Sequence, residues 1–276
     1  MNPRRLLRLY PAPHLERPIE GLYLGEEIAR PGPDRPFVYT NFVCSLDGRI
    51  AVEDPRRGRR ASPPAITNPR DWRLFQELAA RADVLIVSAA LLRGMLAGRT
   101  PEDLPIETAP AFDDLHAWRR DRGMPPQPAV VILGRSLDAA LAERCGGLDR
   151  PVYFAVGNGA DDDAAPAVEA TGVRILVAGA GRDVQGQALI DALGREGFRR
   201  IYSMAGPRVL HLLLSDHVLD RLYLTHFHRL LGGKSFDTLL EGAALEPPAS
   251  LVPHTLYYDP DAKDGAGQLF AAYDVQ

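Results

Sequence analysis

The chain has only two cysteines, Cys44 and Cys145, far apart and outside any C-x-x-C motif. That excludes a disulfide framework and indicates no cysteine-based zinc site. No apolar run approaches the ~18–20 residues of a membrane-crossing helix. The opening residues Met1-Asn2-Pro3-Arg4-Arg5-Leu6-Leu7-Arg8 are basic, but they lack the long apolar stretch and small-residue cleavage site of a secretory signal. An excess of basic charge is missing as well. Net charge is -4 and the pI about 6.0, which argues against a general nucleic-acid binder. No linker and no internal repeat divides the sequence. What is present is a chain of 276 residues, 46% of them hydrophobic, enough for a sizeable core. The expectation is a soluble, cytoplasmic globular protein, with neither a nucleic-acid nor a membrane partner.

Residues 1–36 are rich in Pro and Arg and read as an arm packed on the body, with a short helix or extended piece around Ile19–Ile28. Residues 37–276 read as one domain, in which strand and helix patterns alternate. Short apolar strands are predicted at Phe37–Val43, Val84–Val87, Ala129–Leu133, Val152–Val156, Val173–Val177 and Arg200–Ser203. Several are apolar on both faces, as in a buried parallel sheet. Helices are predicted at Pro69–Arg81, Asp138–Cys145, Val184–Glu196 and Gly206–Asp216. The first carries Trp72, Phe75, Leu78 and Ala79 at helical spacing, with Asn68 as cap and Pro69 at the first turn. Arg221–Phe227, Thr255–Tyr258 and Leu269–Val275 read as strands, the last two joined by a hairpin loop over 259–267. This order predicts an α/β fold, mostly parallel and finished by antiparallel strands. A Rossmann domain satisfies most of the same order.

Four segments could carry chemistry. In Asn41-Phe42-Val43-Cys44-Ser45-Leu46-Asp47-Gly48, a strand ends in a turn that Gly48 can close with positive φ, placing the Asp47 carboxylate at the sheet's mouth. Asp-Gly is also a common turn dipeptide, and alone it reads as a turn. In Tyr202-Ser203-Met204-Ala205-Gly206-Pro207-Arg208-Val209-Leu210 a strand runs into Gly206 and a helix follows at once. The helix's opening N–H groups and dipole suit a diphosphate, and Arg208 adds charge; an ordinary strand-to-helix turn has the same look. Ala82 to Arg93 repeats the strand, turn and helix, and Ser88 either caps the helix or donates to a phosphate. After the strand Val130–Leu133 come Arg135 and Ser136. A guanidinium reads phosphate at two points; equally, Ser136 or Asp138 caps the next helix and Arg135 is solvated.

Ser45-Leu46-Asp47-Gly48 and Ala205-Gly206-Pro207 together resemble the reductase family of riboflavin biosynthesis, the reductase part of the bifunctional deaminase-reductase. Ala65-Ile66-Thr67-Asn68-Pro69, Asp220-Arg221-Leu222-Tyr223-Leu224-Thr225 and Leu230-Leu231-Gly232-Gly233 are weaker echoes, and the likeness runs from about Leu6 to the C-terminus. The resemblance implies a dihydrofolate-reductase-like fold, a homodimer, and an NADPH-dependent activity like that of 5-amino-6-(5-phosphoribosylamino)uracil reductase, on a pyrimidine or related heterocycle. It implies a catalytic Asp47 at the edge of the nicotinamide pocket, accepting from ring N–H groups or helping deliver a proton. Cys44, Ser88, Gly206, Pro207, Arg208, Val209 and Leu210 fall to the cofactor. Arg135 and Ser136 fall to its adenosine end, where Arg135 suits a 2′-phosphate. Ser62, Met204 and His228 fall to the substrate.

The sequence also departs from that family. Met204 stands where the family has a substrate-contacting glutamate, and Leu91 where it has a cofactor-contacting threonine. Gly94-Met95 stands for an acidic residue, and His228 for the usual proline. A second reading is therefore a non-catalytic nucleotide- or ligand-binding relative of the same fold. Gly179-Ala180-Gly181 follows a strand like a dinucleotide fingerprint, but lacks the third glycine and the later acid. His226 and His228 share one strand face, yet two imidazoles do not make a zinc site, and no metal is expected. Arg56-Arg57-Gly58-Arg59-Arg60 reads as a solvated loop or as a grip for an anionic substrate.

Overall fold

The computed structural model describes residues 5–28, 35–54, 58–96, 104–160 and 162–276; Arg56 and Arg57 of the arginine run lie outside them. In chain order the elements are β1 (Arg5–Tyr10), β2 (Leu15–Pro18), β3 (Phe37–Ser45), β4 (Arg49–Asp54), β5 (Arg59–Ala61), α1 (Pro69–Arg81), β6 (Val84–Ser88), α2 (Ala89–Leu96) and α3 (Asp113–Arg120). Then come β7 (Ala129–Leu133), α4 (Ala139–Cys145), β8 (Val152–Val156), α5 (Ala165–Glu169), β9 (Arg174–Val177), α6 (Gly186–Arg195), β10 (Arg200–Ser203) and α7 (Pro207–Ser215). The chain ends with β11 (Arg221–Phe227), β12 (Phe236–Thr238), β13 (Leu251–Asp259) and β14 (Gln268–Val275). They fall into two compact units, one of Met1–Glu27, Tyr39–Leu78 and Leu219–Gln276, the other of Ile28–Val38 and Ala79–Val218.

In the first unit the strands lie in the order β2-β1-β13-β14-β11-β3, with β12-β4-β5 as a small separate sheet. Only β11 against β3 is parallel here; β1, β13, β14 and β11 pair antiparallel. The N-terminal segment is therefore built into the sheet by β1, and its Ile19–Glu26 stretch is a run of turns rather than a helix. Buried acids hold that stretch in place. The Glu77 carboxylate accepts from the amides of Gly21 at 2.6 Å and Tyr23 at 2.9 Å, and from Arg73 Nε at 2.9 Å. Glu26 accepts from the Tyr223 hydroxyl at 2.8 Å and the Thr255 hydroxyl at 3.0 Å. Leaving the two amides without Glu77 would cost about 1–3 kcal/mol each. α1 starts where the sequence places it. Asn68 Oδ1 accepts from Arg70 N and Asp71 N at 3.0 and 3.1 Å, and its amide donates to Gln268 at 2.8 Å. Of the predicted stripe, Leu78 and Ala79 are in the core, while Trp72 and Phe75 stack on each other at 4.8 Å.

The second unit is a five-strand parallel sheet in the order β10-β6-β7-β8-β9. β6, β7 and β8 are buried along nearly their whole length, as continuous apolar strands covered on both faces should be. Asp83, just before β6, fixes β10 beside it. Its carboxylate accepts from the amides of Arg199 and Arg200 at 2.9 Å each and from the Arg200 guanidinium at 2.7 Å. Fully buried Arg119 donates to the carbonyls of Ala80, Ala82 and Pro125 at 2.7–2.8 Å, satisfying oxygens that the end of a helix leaves open. The fold is thus α/β, with parallel strands predominant and the C-terminal strands antiparallel.

One buried acid gives a pH signature. The Asp71 carboxyl is enclosed and accepts from Thr225 Oγ1 at 2.6 Å; burial pushes its pKa up to about 6, with the Thr225 bond pulling the other way. The folded state keeps this proton longer than the unfolded chain, so the stability that Asp71 contributes is fully present below about pH 4 and is lost as pH rises through the folded pKa. Asp71→Asn keeps an acceptor for Thr225 and is expected to raise unfolding stability by on the order of 2 kcal/mol at about pH 8 and by little at about pH 4. Urea denaturation at the two pH values checks this; an equal gain at both removes Asp71 as the cause.

Candidate functional site

The string Ser45-Leu46-Asp47-Gly48-Arg49 forms the tight turn between β3 and β4, with Gly48 at φ 74°. It is stitched to the segment that follows β11. Leu46 N donates to Arg229 O at 2.8 Å, and Asp47 receives the amides of Leu231 at 3.1 Å and Gly232 at 2.8 Å. Within the turn, the Ser45 hydroxyl and the Arg49 guanidinium also donate to the Asp47 carboxylate. Together they hold the carboxyl well below the usual carboxylate range. Ser45 contributes most, then the Gly232 amide, with desolvation opposing and Leu231 and Arg49 adding to the effect. The arrangement is an ionised carboxylate joining two turns, the second of them the Leu-Gly-Gly turn singled out in the sequence.

Three neighbours in the same unit have packing roles. Cys44 is buried with Ile50, Ala51, Leu222 and Leu224, its sulfur 3.6 Å from His226 Nδ1. Burial pushes its thiol up to about 11, so the side chain is a neutral core group. Ser62 Oγ donates to Ile50 O at 2.9 Å, tying the approach to α1 onto β4. His228 stacks on Tyr258 at 5.9 Å, and its amide donates to Gly267 O at 3.2 Å. Burial, and next His228, lower the pKa of His226, which favours the neutral imidazole. Among the described residues, no group of three or more His, Cys, Asp or Glu is placed to hold a metal ion.

In the second unit the parallel sheet lines up the other candidates along one edge. Ser203 at the end of β10 pairs with Ile86, Ser88 at the end of β6 pairs with Leu133, and Met204 N donates to Ile86 O at 2.9 Å. β6 leads away toward β7, whereas β10 lies on its other side, so the two strand ends flank a topological switch point. Open α/β sheets take their ligands there, beyond the carboxyl ends of the strands. Both strands run directly into helices. Ser88 Oγ accepts from Leu91 N at 3.1 Å, capping α2 and leaving its hydroxyl able to donate. α7 begins at Gly206 (φ -74°, ψ -170°) with no side-chain cap, and a Cβ at Gly206 would meet nothing within 4 Å. Val209 and Leu210 turn their amides to Gly206 O at 3.0 and 3.2 Å, and the Leu210 side chain is in the core. Open space before an uncapped helix start, with Arg208 in its first turn, suits an anionic diphosphate.

Arg135 and Ser136 lie exposed beyond β7 on the same edge. The cap of α4 is Asp138, which accepts from Leu141 N at 2.9 Å and from Arg93 at 2.7 and 3.0 Å, so Ser136 is not needed there. Gly179-Ala180-Gly181 has a packing explanation: Gly159 N donates to Gly181 O at 2.7 Å, and Asn158 N to Gly179 O at 2.9 Å. Sequence reasoning missed that Asp47 and the Leu231-Gly232 amides belong together. It also missed Asp71, whose place in a first helical turn resembles an ordinary dipole partner.

Residues 36–255 match the family described as RibD C-terminal domain. An Archaeoglobus fulgidus protein named 2,5-diamino-6-ribosylamino-4(3H)-pyrimidinone 5′-phosphate reductase is 26% identical over 208 residues, covering 75% of this chain and 87% of its own. A pyrimidine reductase-like protein from Corynebacterium diphtheriae is similar in structure, with TM-score 0.63, 20% identity, and coverage of 87% of this chain and 92% of that one. A Thermotoga maritima diaminohydroxyphosphoribosylaminopyrimidine deaminase/5-amino-6-(5-phosphoribosylamino)uracil reductase gives TM-score 0.57 and 18% identity, over 87% of this chain and 57% of its own. At these identities the structural likeness speaks for the fold alone, a mixed α/β one with a largely parallel sheet and antiparallel C-terminal strands as the sequence order predicts.

Asp47→Asn places an amide where the turn supplies only donors. The Leu231 and Gly232 amides are expected to exchange with solvent faster in the variant while the rest of the first unit is unchanged. Hydrogen exchange read residue by residue checks this, and unaltered protection at both amides would show that Asp47 does not hold the turn.

Proposed function

The chain belongs to the RibD C-terminal domain family, and from that footing we propose that it is a pyrimidine reductase of riboflavin biosynthesis using NADPH. Its substrate is a 5′-phosphorylated ribosylamino-pyrimidine of the kind for which the Archaeoglobus relative is named. The observation that carries the reading is the pair of helix starts at adjacent strand ends, with Ser88 closing β6 before α2 and Gly206 following β10 before α7. NADPH supplies the hydride when bound; the chain's tasks are to hold it, orient the substrate and keep water out. Gly206, Pro207 and Arg208 meet the diphosphate at the opening turn of α7, Val209 and Leu210 shape that turn from within by donating to Gly206 O, and Ser88 donates from the start of α2. Arg135 and Ser136 take the adenosine end.

Asp47 serves as an acceptor for substrate N–H groups. Donation of a proton does not suit a carboxyl that Ser45, Gly232, Leu231 and Arg49 keep ionised. Ser62, Met204 and His228 are assigned to the substrate. A thioether at Met204 offers no strong acceptor, so discrimination among pyrimidines rests on fewer polar contacts. The homodimer and the cytoplasmic setting belong to the same proposal; among the described residues no helix is long and apolar enough to cross a membrane.

Mixing the protein with 2,5-diamino-6-ribosylamino-4(3H)-pyrimidinone 5′-phosphate and NADPH is expected to consume the reduced nicotinamide, followed by its absorbance. Binding of both without turnover would return the non-catalytic reading; no NADPH binding would end the proposal. Gly206→Val is expected to keep the fold, because φ -74° suits any residue and no atom lies near. The same change should weaken NADPH at least about tenfold by filling the space before α7. Fluorescence titration reads the affinity, and undiminished binding removes α7 from the cofactor site.

A further inference from the structure

An ion pair at the far end of the same edge has no use for the fold. Arg135, in the turn after β7, and Asp183, in the loop after β9, lie 2.7 Å apart with side chains 77% and 70% exposed. A pair so open to solvent contributes almost nothing to stability. Yet β8 stands between β7 and β9, so the pair spans a strand end. Backbone geometry makes the span possible. Gly157 directly follows β8, and a Cβ there would lie 2.2 Å from Gly181 O and 2.8 Å from Asp183 O. Gly179 (φ 145°) and Gly181 (φ 71°) give the loop its path, and Asn158 Oδ1 accepts from Gly181 N at 2.8 Å. The loop is thereby pressed over the strand end, with its acid delivered to the guanidinium.

We propose that Asp183 sets the nucleotide preference of this chain, by neutralising Arg135 so that a dinucleotide with a free 2′-hydroxyl is accepted about as readily as one with a 2′-phosphate. This rests on the assignment of Arg135 to the adenosine end of the cofactor. A 2′-phosphate brings close to two negative charges. It must draw Arg135 from its partner and then remain beside the displaced carboxylate, a like charge. A ribose 2′-hydroxyl faces no such conflict, since it donates to an acidic side chain, as it does in sites built for the unphosphorylated cofactor. Ser136, adjacent in the turn, can donate to either group.

Calorimetric titration of the intact protein with 2′,5′-ADP and with 5′-AMP tests the proposal without turnover. The wild type is expected to bind the two within about tenfold of each other. Asp183→Asn should raise the preference for 2′,5′-ADP about tenfold with the melting temperature unchanged, and Arg135→Ala should abolish that gain when combined with it. An unchanged ratio in Asp183→Asn, with both nucleotides still binding, overturns the role of Asp183 alone. If neither nucleotide binds any of the variants or the wild type, the assignment of this edge to a dinucleotide fails with it.

Discussion

Parallel hydrogen bonding of β6 with β10 on one side and β7 on the other governs everything proposed for the second unit. The register places Ser203 level with Ile86, two residues short of the end of β6, and Ser88 level with Leu133, so β6 and β7 finish together and β10 just before them. Only then do the starts of α2 and α7 and the Arg135 turn share one edge. Register in a doubly covered sheet is not secured by alternation, because both faces are apolar. Here it is secured at the other end. Asp83 takes two consecutive amides from the start of β10, and its own backbone continues into β6 and toward β7. A slip of β10 by one residue would break those bonds as it turned the strand's side chains to the opposite faces.

The first unit solves a different problem with the same chemistry. Its loops are long-range partners, and carboxylates join them. Glu77 receives the arm, Glu26 receives β11 and β13, and Asp47 receives the turn after β11. At the base of the β13–β14 hairpin, fully buried Asp259 accepts from Arg70 and Gln268, and Gln268 in turn meets Asn68. Acids placed this way are acceptors with several donors each, and they stay ionised where donors outnumber the effect of burial, as at Asp47. Asp71, with a single hydroxyl donor, goes the opposite way. Glu77 goes the same way as Asp71, because burial there outweighs its amide and guanidinium donors.

Elements with a strong local signal were legible. α1 runs from Pro69 to Arg81 as its cap and first-turn proline predict, and β7, β8, β10 and β11 fall at the predicted residues. The unread elements are short or depend on distant partners. β12 has three residues and pairs with β4, far earlier in the chain; β1 is defined by β13, close to the other end. No local periodicity announces such strands. The same divide runs through the candidate site. Ser88 as a cap and Gly206 before a helix could be read from neighbouring residues. The partners of Asp47 could not, because the turn that feeds it lies 184 and 185 positions downstream. Nor could the choice of Asp138 over Ser136 as cap be made before Arg93 was seen beside it.

Gly157 has an implication for how this chain can diverge. The residue before it, Val156, is buried and takes part in an ordinary ladder, where one apolar side chain can stand in for another. One position later, the smallest added carbon would strike the backbone of the 181–183 crossing and lift it from the sheet. The strand β8 itself would survive such a change, but the acid would swing away and the arginine would be left alone with whatever anion arrives. The reach of the acid to the arginine thus depends on a missing side chain at a third position, which touches neither of them through side-chain atoms.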